Sequence, residues 1–357
     1  MTATLTPQRA TASSLTAGQL PRWITPVLAT GAAVVGIVAT LLLGGFNPGL
    51  AAFFAFALYQ VAIFVASASV EGTRKAFDRL MHGFVVGAFL LALVPLAWVA
   101  LTTVLAGLNR FDATFFSWSM RNIVGEGGGA IHAIYGTLAV TGVATLISVP
   151  IGLLTAVYLS EYGQGKALAR GITFFVDVMT GIPSIVAGLF AYALMGLIFR
   201  PGYVSGLSGS LALSVLMIPV VVRASEELLR IVPNELREAS YALGVPKWRT
   251  IVKIVIPTAI SGIVSGVILA IARIIGETAP LMIASGFTQS INNNFLEGPM
   301  MTLPTFVYGQ YAYRSLPHEA YVDRAWAGAL TLILIVMGLN LIGRIIAKRF
   351  APKTSGR

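Results

Sequence analysis

Two ionisable residues stand where hydrocarbon would be expected. Arg273 and Glu277 lie in Ala272-Arg273-Ile-Ile-Gly276-Glu277-Thr278-Ala279-Pro280, within a long apolar run over 257–283. A charge at the centre of a membrane span costs at least about 2.5–3.5 kcal/mol, so it normally faces a cavity or a partner. The spacing of four predicts that both side chains share one helical face and can pair. One reading is a self-satisfied ion pair that merely stabilises packing. The favoured reading is a path residue, because a buried pair alone is a poor stabiliser. Arg273 would then offer its planar fork of donors to a passing oxyanion such as phosphate or sulfate. Glu277 would hold Arg273 in place or release it as a path opens.

A second feature belongs with these charges. The fifth apolar run, 171–199, is interrupted by Thr180-Gly-Ile-Pro-Ser184. Proline removes a backbone donor and clashes with the preceding turn, so the helix is expected to kink or open. Within a bilayer, freed backbone groups survive only beside protein or a water-filled cavity, and broken helices point to substrate sites. A simple packing kink is the alternative on this segment alone. Ser184 and Thr278 join Arg273 and Glu277 as candidate path residues. Arg223 closes the sixth run just before Glu226-Glu227. Two readings stand for it: snorkelling to headgroups, or lining the inner exit of an anion path. Asp177, near the inner end of the fifth run, has the charge to pair with a basic residue.

The elements that must position these residues are membrane spans. The chain of 357 residues is 56% hydrophobic and 11% charged, with a mean hydropathy of +0.83, which excludes an ordinary soluble domain. About eight runs are near the length that crosses the hydrocarbon. They cover 23–44, 50–69, 83–106, 131–159, 171–199, 208–223, 257–283 and 326–347. With the N-terminus inside, of the 24 Lys and Arg only Arg110, Arg121, Arg200, Arg314 and Arg324 fall outside, with Arg273 in a span. That asymmetry sets a multi-pass orientation with both termini cytoplasmic. It also accounts for the net charge of +10 without a nucleic-acid partner. Residues 1–22 read as a disordered cytoplasmic tail rather than a signal peptide, because the following apolar run is full-length. Residues 351–357 form the other tail.

Other chemistry finds little support. The absence of cysteine excludes thiol chemistry and disulfides. His82, His132 and His318 lack ligand spacing, so no metal site is expected. Gly125-Glu-Gly-Gly-Gly129 has no preceding strand and no following Gly-Lys-Ser/Thr, so it is no P-loop and reads as a flexible turn. Gly163-Gln-Gly-Lys166 fails the same test. No nucleotide-hydrolysing apparatus and no bound cofactor is expected in this chain.

Between the sixth and seventh spans lies Glu238-Ala-Ser-Tyr-Ala-Leu-Gly244, followed after nine residues by Ile254-Val-Ile-Pro257. Pro233 pre-sets a helical start and Gly244 a stop. Leu236, Ala239, Ser240 and Leu243 recur at one helical face, with Arg237 and Glu238 off it, free for a partner. The small apolar face lacks the Trp, Phe and Lys of an interfacial anchor, so the segment is expected to dock onto protein.

That stretch resembles the EAA loop of ABC importer permeases, with Ser240 for the second Ala and Ile256 for Leu. Over about 83–350 the chain is similar to the PstA family of phosphate-specific permeases. The resemblance runs through Ile151-Gly-Leu-Leu-Thr-Ala-Val-Tyr-Leu-Ser-Glu-Tyr162, Pro183-Ser-Ile-Val-Ala-Gly-Leu-Phe190, Ala239-Ser-Tyr-Ala-Leu-Gly-Val-Pro-Lys-Trp248 and Ala270-Ile-Ala-Arg-Ile-Ile-Gly-Glu-Thr-Ala-Pro-Leu281. The sister PstC family has Met after Gly-Glu-Thr, so Ala279-Pro280 favours PstA. The resemblance implies an all-α polytopic type I (MetI-like) importer permease, with two extra N-terminal helices over 23–82 and a coupling loop at 226–257. It implies a sister permease PstC in a heterodimer, a pair of PstB ATPases that hold ATP and Mg, and the phosphate-binding protein PstS. Arg237, Glu238, Ala239, Ser240, Leu243, Gly244 and Pro246 would form the contact with the ATPase. Inorganic phosphate would pass through the plasma (inner) membrane of a prokaryote.

Overall fold

The computed structural model describes residues 18–350. The expected tails therefore lie outside the described residues up to residue 17 and over 351–357. No strand occurs among the described residues. Seven of their helices are long and apolar enough to cross a membrane, and a bent pair can make an eighth. The chain divides into two compact units, one ending at Ala100 and the other starting at Leu101.

The first unit holds α1 (Ile24–Leu42), α2 (Pro48–Val70) and most of α3 (Thr73–Gly107). Asn47 caps α2 by accepting from Gly49 N at 3.0 Å and Leu50 N at 3.1 Å, with Pro48 in the first turn, where its missing N–H is harmless. Gly36 lets α1 approach α2 closely, since a Cβ there would lie 2.6 Å from the Ala51 carbonyl oxygen. α3 starts about two turns before Met81, well ahead of the apolar run, because Thr73–Leu80 contains good helix formers that hydropathy does not register. The α2–α3 turn is tied at Glu71. Its carboxylate accepts from Arg79 at 2.7 and 2.9 Å, from Ser67 Oγ at 2.8 Å and from Leu20 N at 2.9 Å.

The second unit begins with α4 (Ala113–Ser117), capped by Asp112 accepting from Phe115 N at 2.7 Å. α5 (Ile131–Val157) continues as a π-helical turn through Tyr162. α6 (Ala167–Thr180) and α7 (Ser184–Ile198) are the two halves of the broken fifth run, bent by 109°. α8 (Gly206–Ile231) runs past the expected span end at 223, carrying Arg223, Glu226 and Arg230 on its last turns. α9 (Asn234–Ala242) and α10 (Lys247–Thr250) form the connection that follows. A π-helical turn over Ile251–Val255 leads into α11 (Ile256–Ile274), then α12 (Ala279–Ala284), α13 (Leu303–Ala312) and α14 (His318–Phe350). Arg324 thus sits on α14, rather than in the expected loop before it.

The core of this unit lies between α5 and α8. Val140 and Ala144 pack on Leu213, Met217 and Val221, joined by Ala270, Ile274, Leu281 and Met300. Two serines replace hydrophobic attraction, which is weak inside lipid, with hydrogen bonds across the pair. Ser210 Oγ donates to the Val140 carbonyl at 2.9 Å and Ser214 Oγ to that of Ala144 at 3.4 Å.

Arg79 beside Glu71, with smaller help from the Leu20 amide and Ser67, outweighs burial and holds the Glu71 carboxyl at about 2 against a usual 4.5. A depressed carboxyl pKa contributes stability above about 4.5 that is lost as pH falls toward about 2. Glu71→Gln is therefore expected to unfold at a lower temperature than the parent chain at neutral pH. The gap between their thermal midpoints in detergent should close across that acid window. A constant gap would show that Glu71 acts by packing alone.

Candidate functional site

The break in the fifth run, the end of α11 and the middle of α8 enclose a cavity of about 240 Å³. Thr180, Ile182 and Ser184 line it from the α6–α7 break, Pro219 from α8, and Arg273 and Glu277 from the end of α11. Three of the five expected path residues, Ser184, Arg273 and Glu277, therefore meet in one space. Thr278 does not line it; its carbonyl accepts from Met282 N at 3.0 Å as α12 begins. Pro219 and its neighbours Leu216 and Val220 were missed from the sequence. A proline within an apolar run was the signal that could have found them.

The expected helical face carrying both charges is not formed. Pro280 has no N–H to donate to the Gly276 carbonyl and its ring clashes with it, so α11 stops at Ile274 and the chain turns, with Glu277 N donating to Ile274 O at 3.1 Å. Arg273 and Glu277 form no ion pair with each other or with any other described residue. Arg273 is exposed and its donors are free among the described residues. Ser184 opens α7, a helix of 15 residues, without a side-chain cap. The cavity therefore combines a guanidinium fork with the positive end of a helix, both of which favour an anion, while Glu277 opposes one.

Arg223 lies elsewhere. It pairs with Asp177 of α6 and with Glu226 at 3.0 Å, while Arg230 takes the other Glu226 oxygen at 2.6 Å. Glu226 is buried, so its charge demands such partners. The network borders a separate cavity of about 410 Å³ at the start of α6. Neither reading made from sequence, snorkelling or an open anion exit, describes an arginine held by two carboxylates.

The loop between α8 and α11 is built around α9. Gly244 adopts φ +73°, a backbone region that glycine enters without strain. Its N–H donates to Tyr241 O at 2.9 Å and that of Val245 to Ser240 O at 3.2 Å, closing the helix end in a Schellman motif. Ser240 is buried and hydrogen-bonds Thr250 at 2.8 Å, tying α9 to α10. Leu236, Glu238, Ala239, Leu243 and Pro246 are exposed, with Leu243 83% exposed and Trp248 57% beside it. Arg237 departs from expectation: it is turned inward, not free for a partner. It reaches Glu161 at 2.7 Å and donates to Leu229 O at 2.9 Å and Val232 O at 2.6 Å. α8 has just ended there, leaving carbonyls without helical donors, and the guanidinium satisfies them. Glu161, an acid at the apolar end of the fourth run, was not singled out from sequence.

Residues 148–356 match the family described as binding-protein-dependent transport system inner membrane component. The phosphate transport system permease protein PstA 1 of Mycobacterium tuberculosis (strain CDC 1551 / Oshkosh) is 48% identical over 279 residues, 76% of this chain and 89% of that protein. The chain belongs to the PstA family. PstA of Mycobacterium leprae is 48% identical over 77% of this chain and 91% of its own length, and PstA of Yersinia pestis 37% over 79% and 93%. Among solved structures, a chain of the inward-facing MetNI methionine ABC transporter covers 62% of this PstA-family chain and 96% of its own, at 21% identity and a TM-score of 0.52. A bacterial alginate ABC transporter chain covers 76% and 95% at 15% identity and the same TM-score of 0.52. These two share the fold.

Two variants test how this PstA-family site is held. Gly188 of α7 lies against Pro280, and a Cβ there would fall 2.6 Å from the Pro280 Cα, a backbone atom that cannot swing away. Gly188→Ala should destabilise the chain by about 1–3 kcal/mol, read as a lower unfolding midpoint in detergent; an unchanged midpoint would mean that α7 and α12 part freely. Arg237→Ala leaves Glu161 buried and unpaired, at a cost of about 3–5 kcal/mol. Adding Glu161→Gln should recover part of that loss in the same assay, whereas an additive double variant would deny the coupling.

Proposed function

We propose that this chain is the PstA-type permease of an ATP-driven importer of inorganic phosphate. The observation that carries the reading is Arg273, a guanidinium with no partner among the described residues, facing a cavity between broken helices. In hydrocarbon such a charge is costly unless a ligand or a partner compensates it, and a planar fork of donors suits a phosphate. The curated relatives are named as phosphate transport permeases, which supports the same substrate.

The path is completed by a sister permease of the PstC type, and phosphate is delivered by a PstS-type binding protein. The exposed residues of α9, with Leu243 and Pro246, dock on a PstB-type ATPase, one of a pair, which holds the ATP and Mg. ATP binding closes that pair, carries α9 with it and rocks the permeases between inward- and outward-facing states. Buried Ser240 and the inward Arg237 make α9 rigid with the body of the chain, so that its displacement is transmitted to the spans. Both termini lie on the cytoplasmic side, and the first two helices are additions to the 83–350 permease.

Arg273→Ala should abolish uptake of radiolabelled phosphate into vesicles carrying the full importer while leaving its assembly with the ATPase intact. Arg273→Lys keeps the charge without the fork and should transport poorly. An alanine variant that accumulated phosphate normally would remove Arg273 from the path.

A further inference from the structure

The cavity between the broken helices holds a carboxylate that a path for anions does not by itself explain. Glu277 lines it together with Arg273 and is half-buried. Its carboxylate makes no ion pair with a described residue and takes no hydrogen bond from one. An ionisable group inside a span is costly without a partner. Arg273 does not serve, because the turn closed by Glu277 N on Ile274 O at 3.1 Å parts the two. The other hydroxyls on the wall belong to Thr180 and Ser184, and Thr180 Oγ1 is spent on the Val176 carbonyl at 2.9 Å.

The two charged side chains make opposite demands on an occupant. A guanidinium has donors and no acceptor, and a carboxylate has acceptors and no donor. A bare cation would satisfy Glu277 and be repelled by Arg273. A fully ionised oxyanion would satisfy Arg273 and set its own lone pairs and charge against Glu277. An oxyanion that still carries a hydroxyl meets both demands: its ionised oxygens take the donors of Arg273, and its O–H is donated to Glu277. At neutral pH inorganic phosphate keeps such a hydroxyl, whereas sulfate has none. A site built to bond a substrate hydroxyl rejects the analogue lacking it strongly, because the polar group of the site is then left unpaired. Here the rejected anion also brings like charge against that group.

We propose that Glu277 is a specificity-determining residue: it accepts a hydrogen bond from the hydroxyl of phosphate, so that the cavity takes the protonated oxyanion and refuses sulfate. The inference rests on the importer reading, in which Arg273 meets phosphate in this cavity. Arg273 attracts any oxyanion, and Glu277 makes that attraction conditional on a proton. The lining carries one cation and one carboxylate, so the anion is not held as deeply as in a purely cationic trap. That balance suits a path, where binding must be favourable enough for entry and weak enough for exit.

The test is the rate at which phenylglyoxal, a guanidinium reagent, modifies Arg273 in the full chain in maltoside micelles, read by mass spectrometry of the peptide that contains it. An anion bound at Arg273 slows that rate. The probes are inorganic phosphate, sulfate and fluorophosphate, which has the shape and charge of hydrogen phosphate with fluorine in place of the hydroxyl. At neutral pH, phosphate should protect at concentrations about tenfold or more below those needed of the other two. Glu277→Gln keeps the size of the side chain and breaks no contact among the described residues. It should weaken protection by phosphate about threefold, an amide oxygen being the poorer acceptor, and strengthen protection by sulfate and fluorophosphate about tenfold. A glutamine variant that all three anions protect better would show that Glu277 only repels, and would overturn the proposal while leaving the importer reading, judged by uptake, intact. Equal protection by the three probes in the parent chain would have the same consequence. Failure of every probe to protect would instead remove Arg273 from the path, and the role of Glu277 with it.

Discussion

The close seat of Pro280 on Gly188 is the contact on which the candidate path depends. Each residue belongs to a helix that stops and restarts, α6–α7 at Pro183 and α11–α12 before Pro280. In hydrocarbon an interrupted helix leaves backbone groups that only neighbouring protein or enclosed water can satisfy. Packing one break against the other meets that demand within the chain. It also brings the start of α7 to the same cavity as the last turn of α11. The absence of a side chain at Gly188 is what permits the approach.

Charge is handled in two different ways in the same unit. Arg237 and Glu161, and the chain Asp177–Arg223–Glu226–Arg230, are closed networks with short contacts. Their worth lies less in net stability than in joining elements: α9 to the end of α5, and α6 to α8. Arg273 is open, with Glu277 held apart from it by the turn at Gly276. A guanidinium already saturated by carboxylates has little left to offer a ligand, whereas an unpaired one beside a helix start does.

α9 shows the same division between anchoring and presentation. Ser240 and Arg237 face the body of the chain, and Leu236, Glu238 and Leu243 face outward. A docking element that transmits motion needs both, because a rigid root is what converts displacement of the tip into displacement of the spans.

The sequence by itself determined the class, the spans and the places where helices break. Apolar run length, proline and glycine act locally, so Thr180–Ser184, Pro280 and Gly244 could be read without knowing their neighbours. The pairing of charges was decided only by the tertiary structure. The spacing of Arg273 and Glu277 suggested a pair, but a proline past them ended the helix and parted them. Arg237 looked free on a helical projection, yet the carbonyls at the end of α8 and the acid of Glu161, distant in sequence, drew it inward. Arg223 found Asp177 across the unit by the same route. Coulombic and hydrogen-bond partners are chosen in space, and periodicity along one helix carries no information about what stands opposite it.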